Sequence, residues 1–177
     1  FQYPILLLMK FFIKNMKMAK NNQLTKSEEK KLVRLLSRVK LPAPYPVFIV
    51  LCKSVPIVAV DIALMKDKNH LFLTYRNDEF YRGWHIPGSI LVFREKPIET
   101  FYRAAKKELG LGPKNLTGVK FQNYFSQKDI RGNGITLLFT AHSAVKLKNG
   151  KYFCLDNLPE DFLREQFMEI EGLKQLK

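Results

Sequence analysis

The stretch PGSILVFREKPIETFYRAAKKELGL, residues 87–111, decides the fold of this 177-residue chain. It opens with the turn signal Pro87-Gly88 and runs through a short apolar segment to a second proline, Pro97. Because proline is tolerated in the first turn of a helix and glycine commonly follows the last, we predict a helix over 97–109 that Gly110 closes. Apolar residues recur along it at helical spacing and indicate one buried face, made by Ile98, Phe101, Tyr102, Ala105 and Leu109.

Apolar, β-branched segments on both sides of this stretch predict strands. Upstream, segments 57–65 and 71–75 flank a polar turn and are predicted to pair as an antiparallel hairpin, while downstream the polar segment 126–134 is predicted to be a loop. The other predicted elements are short strands at 84–86, 119–125, 135–141 and 152–155 and a final helix over 161–176. Strands interleaved with helices favour an α/β (α+β) fold, in which helices cover both faces of a mixed β-sheet.

The first 40 residues have a different character from the rest. Between 24 and 39 apolar residues recur at helical spacing behind the candidate capping residues Thr25 and Ser27, which predicts an amphipathic helix. Three prolines between 42 and 46 break this pattern, and a second short helix is predicted over 48–53. We therefore divide the chain into a basic N-terminal helical extension, residues 1–41, and one domain, residues 42–177.

More than half of the formal net charge of +14 lies in this extension. Residues 1–40 hold ten basic and two acidic side chains, a net of +8, which leaves +6 for the other 137 residues. A solvated basic face accounts for the excess, and the alternatives are binding of nucleic acid or of a membrane surface through residues 10–40. The apolar leader at 3–13 is interrupted by Lys10 and is too short to span a bilayer.

Composition favours an intracellular globular protein. Hydrophobic residues make up 46% of the chain and charged residues 26%, as in ordinary folded domains. The two cysteines, Cys52 and Cys154, are far apart and form no C-x-x-C pair, and the leader lacks the basic start of a secretory signal peptide. We therefore expect a reducing, cytoplasmic compartment.

Residues 89–111 resemble the Nudix box, whose pattern is G-x5-E-x7-R-E-U-x-E-E-x-G-U with U aliphatic. Aligned without a gap, Ser89 takes the first glycine position, and the matching residues are Glu95, Arg103, Glu108, Gly110 and Leu111. The preceding residues 83–88 are similar to the strand and tight turn that lead into the box, and the likeness extends over roughly residues 42–172. The resemblance implies a Nudix-type α/β/α sandwich.

Three positions depart from the box pattern: Ser89 replaces a glycine, and Ala104 and Lys107 each replace a glutamate. By their spacing, residues 103, 104, 107 and 108 share one helix face, which in a full box is a carboxylate cluster for a divalent metal. At the three glutamate positions of this face, Glu108 alone is a carboxylate. The thinned box is similar to that of the GDP-mannose mannosyl hydrolase-like subgroup, which also places an arginine where Arg76 stands.

The resemblance implies roles for the matching residues. Glu108 and the carbonyl of Gly88 would hold Mg²⁺, or Mn²⁺ in its place, delivered in part by the substrate's own phosphates. Arg103 and Arg76 would neutralise phosphate charge, and Glu95 would orient Arg103. A Glu95–Arg103 salt bridge with a purely structural role is an equal alternative.

Other residues have less specific expectations. Lys107 would oppose a bare cation but attract a diphosphate, so the affinity for free metal should be weak. Trp84 is expected in the core or in the wall of the substrate pocket, with stacking on the substrate as the sharper alternative. The box does not identify the general base, for which Asp129 is the candidate, and His85 and His142 are expected to be structural or pocket residues.

These observations predict a Nudix-type hydrolase that uses Mg²⁺ and acts on a nucleoside diphosphate linked to another moiety, with a nucleotide sugar as the favoured substrate class. The alternative is a catalytically inactive Nudix-like module that binds a nucleotide or a protein partner, and it is motivated by Ala104 and Lys107. The expected small-molecule partner is a nucleoside diphosphate derivative. A second copy of the chain, in a homodimer, is a candidate protein partner.

Overall fold

The computed structural model describes residues 24–39, 43–129 and 131–176. The apolar leader and the predicted boundary at 41–42 lie outside these ranges. The chain divides into two compact units, Phe1–Pro44 and Tyr45–Lys177, and each is described by itself below.

In the first unit, the predicted amphipathic helix is confirmed as α1 (Lys26–Leu36). Thr25 caps it, because its hydroxyl accepts from the backbone N–H of Glu28 at 3.3 Å while the Glu28 carboxylate accepts from the backbone N–H of Thr25 at 2.8 Å. The apolar side chains of the helix are exposed, and they are Leu32, Val33, Leu35 and Leu36.

The second unit contains seven strands and three helices in its described part. In chain order they are α2 (Tyr45–Ser54), β1 (Ile57–Leu64), β2 (His70–Asn77), β3 (Arg82–His85), β4 (Gly88–Ile90), α3 (Pro97–Ala104), β5 (Thr117–Asp129), β6 (Gly132–His142), β7 (Gly150–Cys154) and α4 (Phe167–Lys174). Helix α3 continues directly into a π-helical turn, Ala105–Leu109, which Gly110 closes in the left-handed conformation at φ 70°. The helix predicted over 97–109 is therefore confirmed, with a wider last turn.

The strands form two sheets. The four-stranded sheet has the order β4-β1-β6-β5 and is mixed, because β1 runs parallel to β6 while its other pairs are antiparallel. The three-stranded sheet has the order β3-β2-β7 and is antiparallel. The predicted combination of helices with a mixed sheet is confirmed.

The hairpin predicted from β1 and β2 is wrong. These consecutive strands share one isolated bridge, Met65 with Leu71, and β1 instead pairs with β4 on one side and β6 on the other. In the turn between them, an oxygen of Asp67 accepts from the backbone N–H groups of Asn69 and His70 at 2.8 and 2.9 Å. The chain passes here from one sheet to the other, since the turn residues specify a reversal of direction but not the pairing partner.

Two other predicted elements are corrected at their bounds. The polar segment 126–134 is mostly strand, because the β5–β6 ribbon continues to the pair Asp129–Gly132. Cross-strand hydrogen bonds hold this part of the ribbon together without an apolar face to bury. The helix predicted over 161–176 is reduced to α4, because residues 161–163 extend the sheet beside β3. There Trp84 donates to the carbonyl of Asp161 at 3.0 Å and accepts from the N–H of Leu163 at 2.9 Å.

Two groups of buried side chains fix the elements that carry the site. The first joins α3 to the four-stranded sheet around Phe101, which is 0% exposed and contacts Phe139 at a ring-centroid distance of 5.6 Å. The second joins the sheets to α4 through Leu71, Leu138 and Ile170. Burying each such side chain stabilises the fold by about 1.5–3 kcal/mol. These contacts therefore hold α3 and α4 firmly against the sheets.

Candidate functional site

A cavity of about 610 Å³ lies where residues of both sheets, the end of the π turn and the segment before α4 come together. Its lining includes Asp61 of β1, Arg76 of β2, Gly88 of β4, Glu108 of the π turn and Gln166. The volume is in the range of small-molecule sites. Four residues with predicted site roles are thus brought together, namely Arg76, Gly88, Lys107 and Glu108.

Gly88 lies opposite Asp61 at a position where the antiparallel ladder makes no hydrogen bonds. Ile62, at the adjacent pair, donates to the carbonyl of Pro87 at 2.8 Å, and Leu91, three pairs away, donates to the carbonyl of Val58 at 2.9 Å, which fits the alternation of bonded and non-bonded pairs. The carbonyl of Gly88 therefore points away from β1, at the edge of the sheet. A Cβ at this position would lie 2.0 Å from Oδ1 of Asp61, so this glycine is required by its neighbour.

Glu95 and Arg103 form a clasp between the loop after β4 and helix α3. Nε and Nη2 of Arg103 donate to the two carboxylate oxygens of Glu95, each at 2.7 Å. The same guanidinium also donates to Oγ of Ser89 at 2.9 Å and to the carbonyl of Ile90 at 2.8 Å. The clasp therefore joins helix, loop and β4, and Ser89 connects it to the cavity wall.

The electrostatics of the clasp reinforce its geometry. The hydrogen bonds from Arg103 lower the pKa of Glu95 from 4.5 to about 2, with a further contribution from Thr100, whose hydroxyl donates to Glu95 at 2.6 Å. Glu95 in turn raises the pKa of Arg103. The side chain of Glu95 is 13% exposed and that of Arg103 38%. These contacts favour the structural role of the pair over direct contact of Arg103 with phosphate.

The expected metal-facing side of the helix is divided in the structure. Ala104 is 0% exposed and belongs to the core, whereas the side chains of Lys107 and Glu108 are 73% and 31% exposed and line the cavity. The single helix face predicted for these positions is therefore wrong at Ala104, because the wide π turn rotates the positions that follow it. Nζ of Lys107 lies 3.2 Å from Oε1 of Glu108, and Asn149 donates to the carbonyl of Glu108.

Arg76 occupies the cavity wall at the end of β2, as predicted. Its Nε lies 2.5 Å from Oδ2 of Asp78. His85 is a pocket residue, whose Nε2 lies 3.1 Å from the hydroxyl of Thr74. Burial and the positive charge of Arg76 lower the pKa of His85 to about 4, so this imidazole is neutral near pH 7.

A buried pair of carboxyl groups, Asp61 and Glu169, was missed in the sequence. Asp61 is 7% exposed and Glu169 is 0% exposed. Burial raises the pKa of Asp61 to about 7 against the hydrogen bonds of Gln166 and Glu169 and the positive charges of Arg131 and Arg76. The available signal was a carboxylate inside the otherwise apolar strand of residues 57–64.

Gln166 connects this pair to the turn before Gly88. Its Nε2 donates to Oδ2 of Asp61 at 2.6 Å, and its Oε1 accepts from the backbone N–H of Ile86 at 2.8 Å. The residue before α4 therefore fixes both β1 and the turn that leads into the box. The sequence carries no local signal for Gln166, since its bond to Asp61 spans 105 positions.

The remaining predicted residues are Trp84, Asp129 and His142. Trp84 packs in an aromatic stack, with ring centroids 5.4 Å from Tyr75 and 4.9 Å from Phe153, and it contacts the second core group. Asp129 ends β5 opposite Gly132, and its side chain lies outside the described part of the chain. Nδ1 of His142 lies 2.9 Å from the carbonyl of Met65, a structural position as expected.

Within residues 24–39, 43–129 and 131–176, no three His, Cys, Asp or Glu side chains are grouped closely enough to hold a metal ion. Among the helices in those ranges, none has the length and apolar character needed to cross a membrane.

Comparison with known proteins identifies the fold. No family model and no curated protein matches the sequence. Solved structures do match: a MutT NUDIX hydrolase from Burkholderia pseudomallei has a TM-score of 0.57 at 19% identity, over 67% of this chain and 98% of that one. The C. elegans Ap4A hydrolase has a TM-score of 0.55 at 14% identity, over 68% and 95%. The NUDIX domain of Shewanella oneidensis NrtR, complexed with ADP ribose, has a TM-score of 0.55 at 18% identity, over 86% and 99%. The chain therefore has the Nudix fold, as predicted.

Proposed function

We propose that this chain is a Nudix-type hydrolase that acts on a nucleoside diphosphate linked to another moiety, with a nucleotide sugar as the favoured class. The observation that carries the proposal is one cavity that combines the carbonyl of Gly88, the carboxylate of Glu108 and the cations Arg76 and Lys107. Two of the matched structures are named hydrolases, which agrees with this activity. The likeness of the box to the GDP-mannose mannosyl hydrolase-like subgroup favours nucleotide sugars.

The residues present fit a divalent ion that arrives with the substrate. The carbonyl of Gly88 points away from β1, and Glu108 is a partly exposed carboxylate on the same cavity. Mg²⁺ commonly takes one or two carboxylates, several waters and substrate phosphates, and Mn²⁺ accepts similar ligands. When bound, the ion would neutralise phosphate charge and polarise a phosphorus–oxygen bond.

The chain's own residues divide the remaining tasks. Arg76 and Lys107 neutralise the diphosphate as it enters the cavity. Arg103 and Glu95 act as positioning residues, since their clasp fixes Ser89 and the strand that carries Gly88. Asp129 remains our candidate for the general base, and Asp129→Asn tests this role. If Asp129 activates water, the substitution should lower kcat by a larger factor than it changes KM.

A screen of nucleoside diphosphate sugars, ADP-ribose and dinucleoside polyphosphates, with and without Mg²⁺, tests the proposal. We expect Mg²⁺-dependent release of a nucleoside monophosphate or a free sugar in wild-type protein. Glu108→Gln should remove that activity, and Glu160→Gln, an exposed carboxylate outside the cavity, is the matched control that should retain it. Absence of turnover on every diphosphate would reject the hydrolase.

The second candidate is a module that binds a nucleotide without turnover. It is favoured by Lys107, which is ion-paired to Glu108 at 3.2 Å, and by the apolar, buried Ala104. The NrtR domain, whose structure contains ADP ribose, is a precedent for binding in this fold. Calorimetric binding of ADP-ribose together with unchanged ligand after prolonged incubation with Mg²⁺ would select this candidate.

A further inference from the structure

The cavity contains a second group of cations besides Lys107. Tyr81 is 7% exposed, and the guanidinium carbons of Arg76 and Arg131 lie 4.7 Å and 5.1 Å from the centroid of its ring. Both distances are within the range of cation–π contacts, and the two carbons cannot be farther apart than about 10 Å. Arg76, Tyr81 and Arg131 all line the cavity, and we call them the arginine–tyrosine stack.

The stack is held in place before any ligand binds. Asp78 accepts from Nε of Arg76 at 2.5 Å, and its other oxygen accepts from the backbone N–H groups of Phe80 and Tyr81 at 2.9 and 3.0 Å. This network fixes Arg76 relative to the ring. An arginine has five N–H donors, and only the Nε donor of Arg76 is used in the bond to Asp78. The Nη1 and Nη2 groups of Arg76 can therefore donate to a ligand in a fixed direction. A preformed site loses less conformational entropy on binding.

The stack and the box residues face one cavity. Both arginines act electrostatically on Asp61, which lies opposite Gly88 in the sheet. Arg76 and Glu108 both act on His85. A ligand that reaches Gly88 and Glu108 therefore also comes within the field of the two guanidinium groups.

We propose that the arginine–tyrosine stack binds the diphosphate group of the substrate without a metal ion, and that it selects diphosphates over monophosphates. Guanidinium groups match phosphate oxygens with two parallel hydrogen bonds, and two of them on one ring can engage two linked phosphates. Lys107, which also lines the cavity, forms an ion pair with Glu108 at 3.2 Å, and its positive charge disfavours a bare metal ion there. The diphosphate would thus bind to the arginine–tyrosine stack before a metal ion binds at Glu108. This inference rests on the proposed substrate class.

Metal-free calorimetry with ADP and AMP in EDTA tests the proposal. Wild-type protein should bind ADP at least roughly tenfold more tightly than AMP. One additional charge-assisted hydrogen bond of modest strength is enough to account for a roughly tenfold difference in affinity. Arg131→Gln should bring the two affinities together, and Arg131→Lys should retain part of the difference. Lys120→Gln removes the same charge from β5, outside the cavity lining, and should leave the ratio unchanged.

The outcomes separate this inference from the proposed hydrolase. The proposed subsite is wrong if folded Arg131→Gln keeps the wild-type ratio of ADP affinity to AMP affinity, or if wild-type protein binds ADP and AMP equally well. Mg²⁺-dependent turnover is measured separately and tests the proposed hydrolase. If Arg131→Gln does not fold, Arg131→Lys decides: a fully retained ratio and an unchanged KM would reject direct recognition by the arginine fork. Discrimination that depends on Arg131 in a protein without turnover would support the stack and reject the hydrolase.

Discussion

The clasp of Glu95 with Arg103 and the neighbouring pair of Lys107 with Glu108 belong to the same sequence motif but differ in almost every physical respect. In the clasp, one guanidinium makes four hydrogen bonds that join a helix, a loop and a strand. In the second pair, two adjacent side chains meet at 3.2 Å at the edge of a cavity, and Lys107 is 73% exposed. The clasp maintains the backbone, whereas the second pair places charged groups on the cavity wall.

This difference explains how the box can depart from its pattern without loss of the fold. The matching residues Glu95, Arg103 and Gly110 are those that shape the loop and close the helix. The departures Ala104 and Lys107 change the charge that the box pattern would place on the helix, and the backbone still continues through them to the π turn that Gly110 closes. The fold and the chemistry of the motif are therefore separable, and each can be tested alone.

The largest effect on stability is expected at the clasp. Arg103→Ala would leave Glu95 partly buried without its cation and free the loop from β4, so we expect a loss of about 2–4 kcal/mol in the free energy of unfolding. Urea denaturation followed by circular dichroism measures it. Lys106→Ala, an exposed cation on the same helix, should change stability by less than about 0.5 kcal/mol. Equal losses in both variants would mean that the clasp is not a structural unit.

A smaller effect is expected for metal binding at the second pair. Lys107→Glu replaces a cation by a second carboxylate beside Glu108, so affinity for Mn²⁺ in the absence of substrate should rise by roughly tenfold. Titration followed by electron paramagnetic resonance of free Mn²⁺ is the measurement. Lys106→Glu carries the same charge change outside the cavity lining and is the matched control. The same tightening in both would show a general field effect instead of a ligand position.

A third prediction concerns the acid dependence of the stability that the clasp contributes. The pKa of Glu95 is lowered from 4.5 to about 2 in the folded protein, so its stabilising contribution is complete above pH 4.5. It is lost as the pH falls from 4.5 towards 2, because the unfolded chain then binds a proton that the folded clasp excludes. Stability curves of wild-type protein and Glu95→Gln should converge over this interval. Parallel curves would contradict the depressed pKa.

The sequence predicts the local parts of this molecule well and the non-local parts poorly. The turn at Pro87-Gly88 and the helix over 97–109 follow from proline, glycine and helical periodicity, which act over a few residues. The pairing of β1 with β4 and β6 could not be read locally, and the adjacent strand β2 was a wrong partner. Pairing depends on burial across the whole domain, which no turn encodes.

The candidate site divides in the same way. Arg76, Gly88, Lys107 and Glu108 line one cavity, and each had been located through the motif or its flanking strand. The contacts of Asp61 with Gln166 and of Tyr81 with Arg131 join residues 105 and 50 positions apart, without a spacing rule to reveal them. Only the assembled sheets bring these side chains together.

The most direct test of the central claim compares turnover with stability in Glu108→Gln. The change keeps the size of the side chain and removes its charge at a position that is 31% exposed. With a diphosphate substrate and Mg²⁺, we predict that kcat/KM falls by roughly a hundredfold or more, while the free energy of unfolding changes by less than about 0.5 kcal/mol. Unchanged Mg²⁺-dependent turnover, or a loss of stability as large as that expected for Arg103→Ala, would contradict the separation of fold from chemistry in this motif.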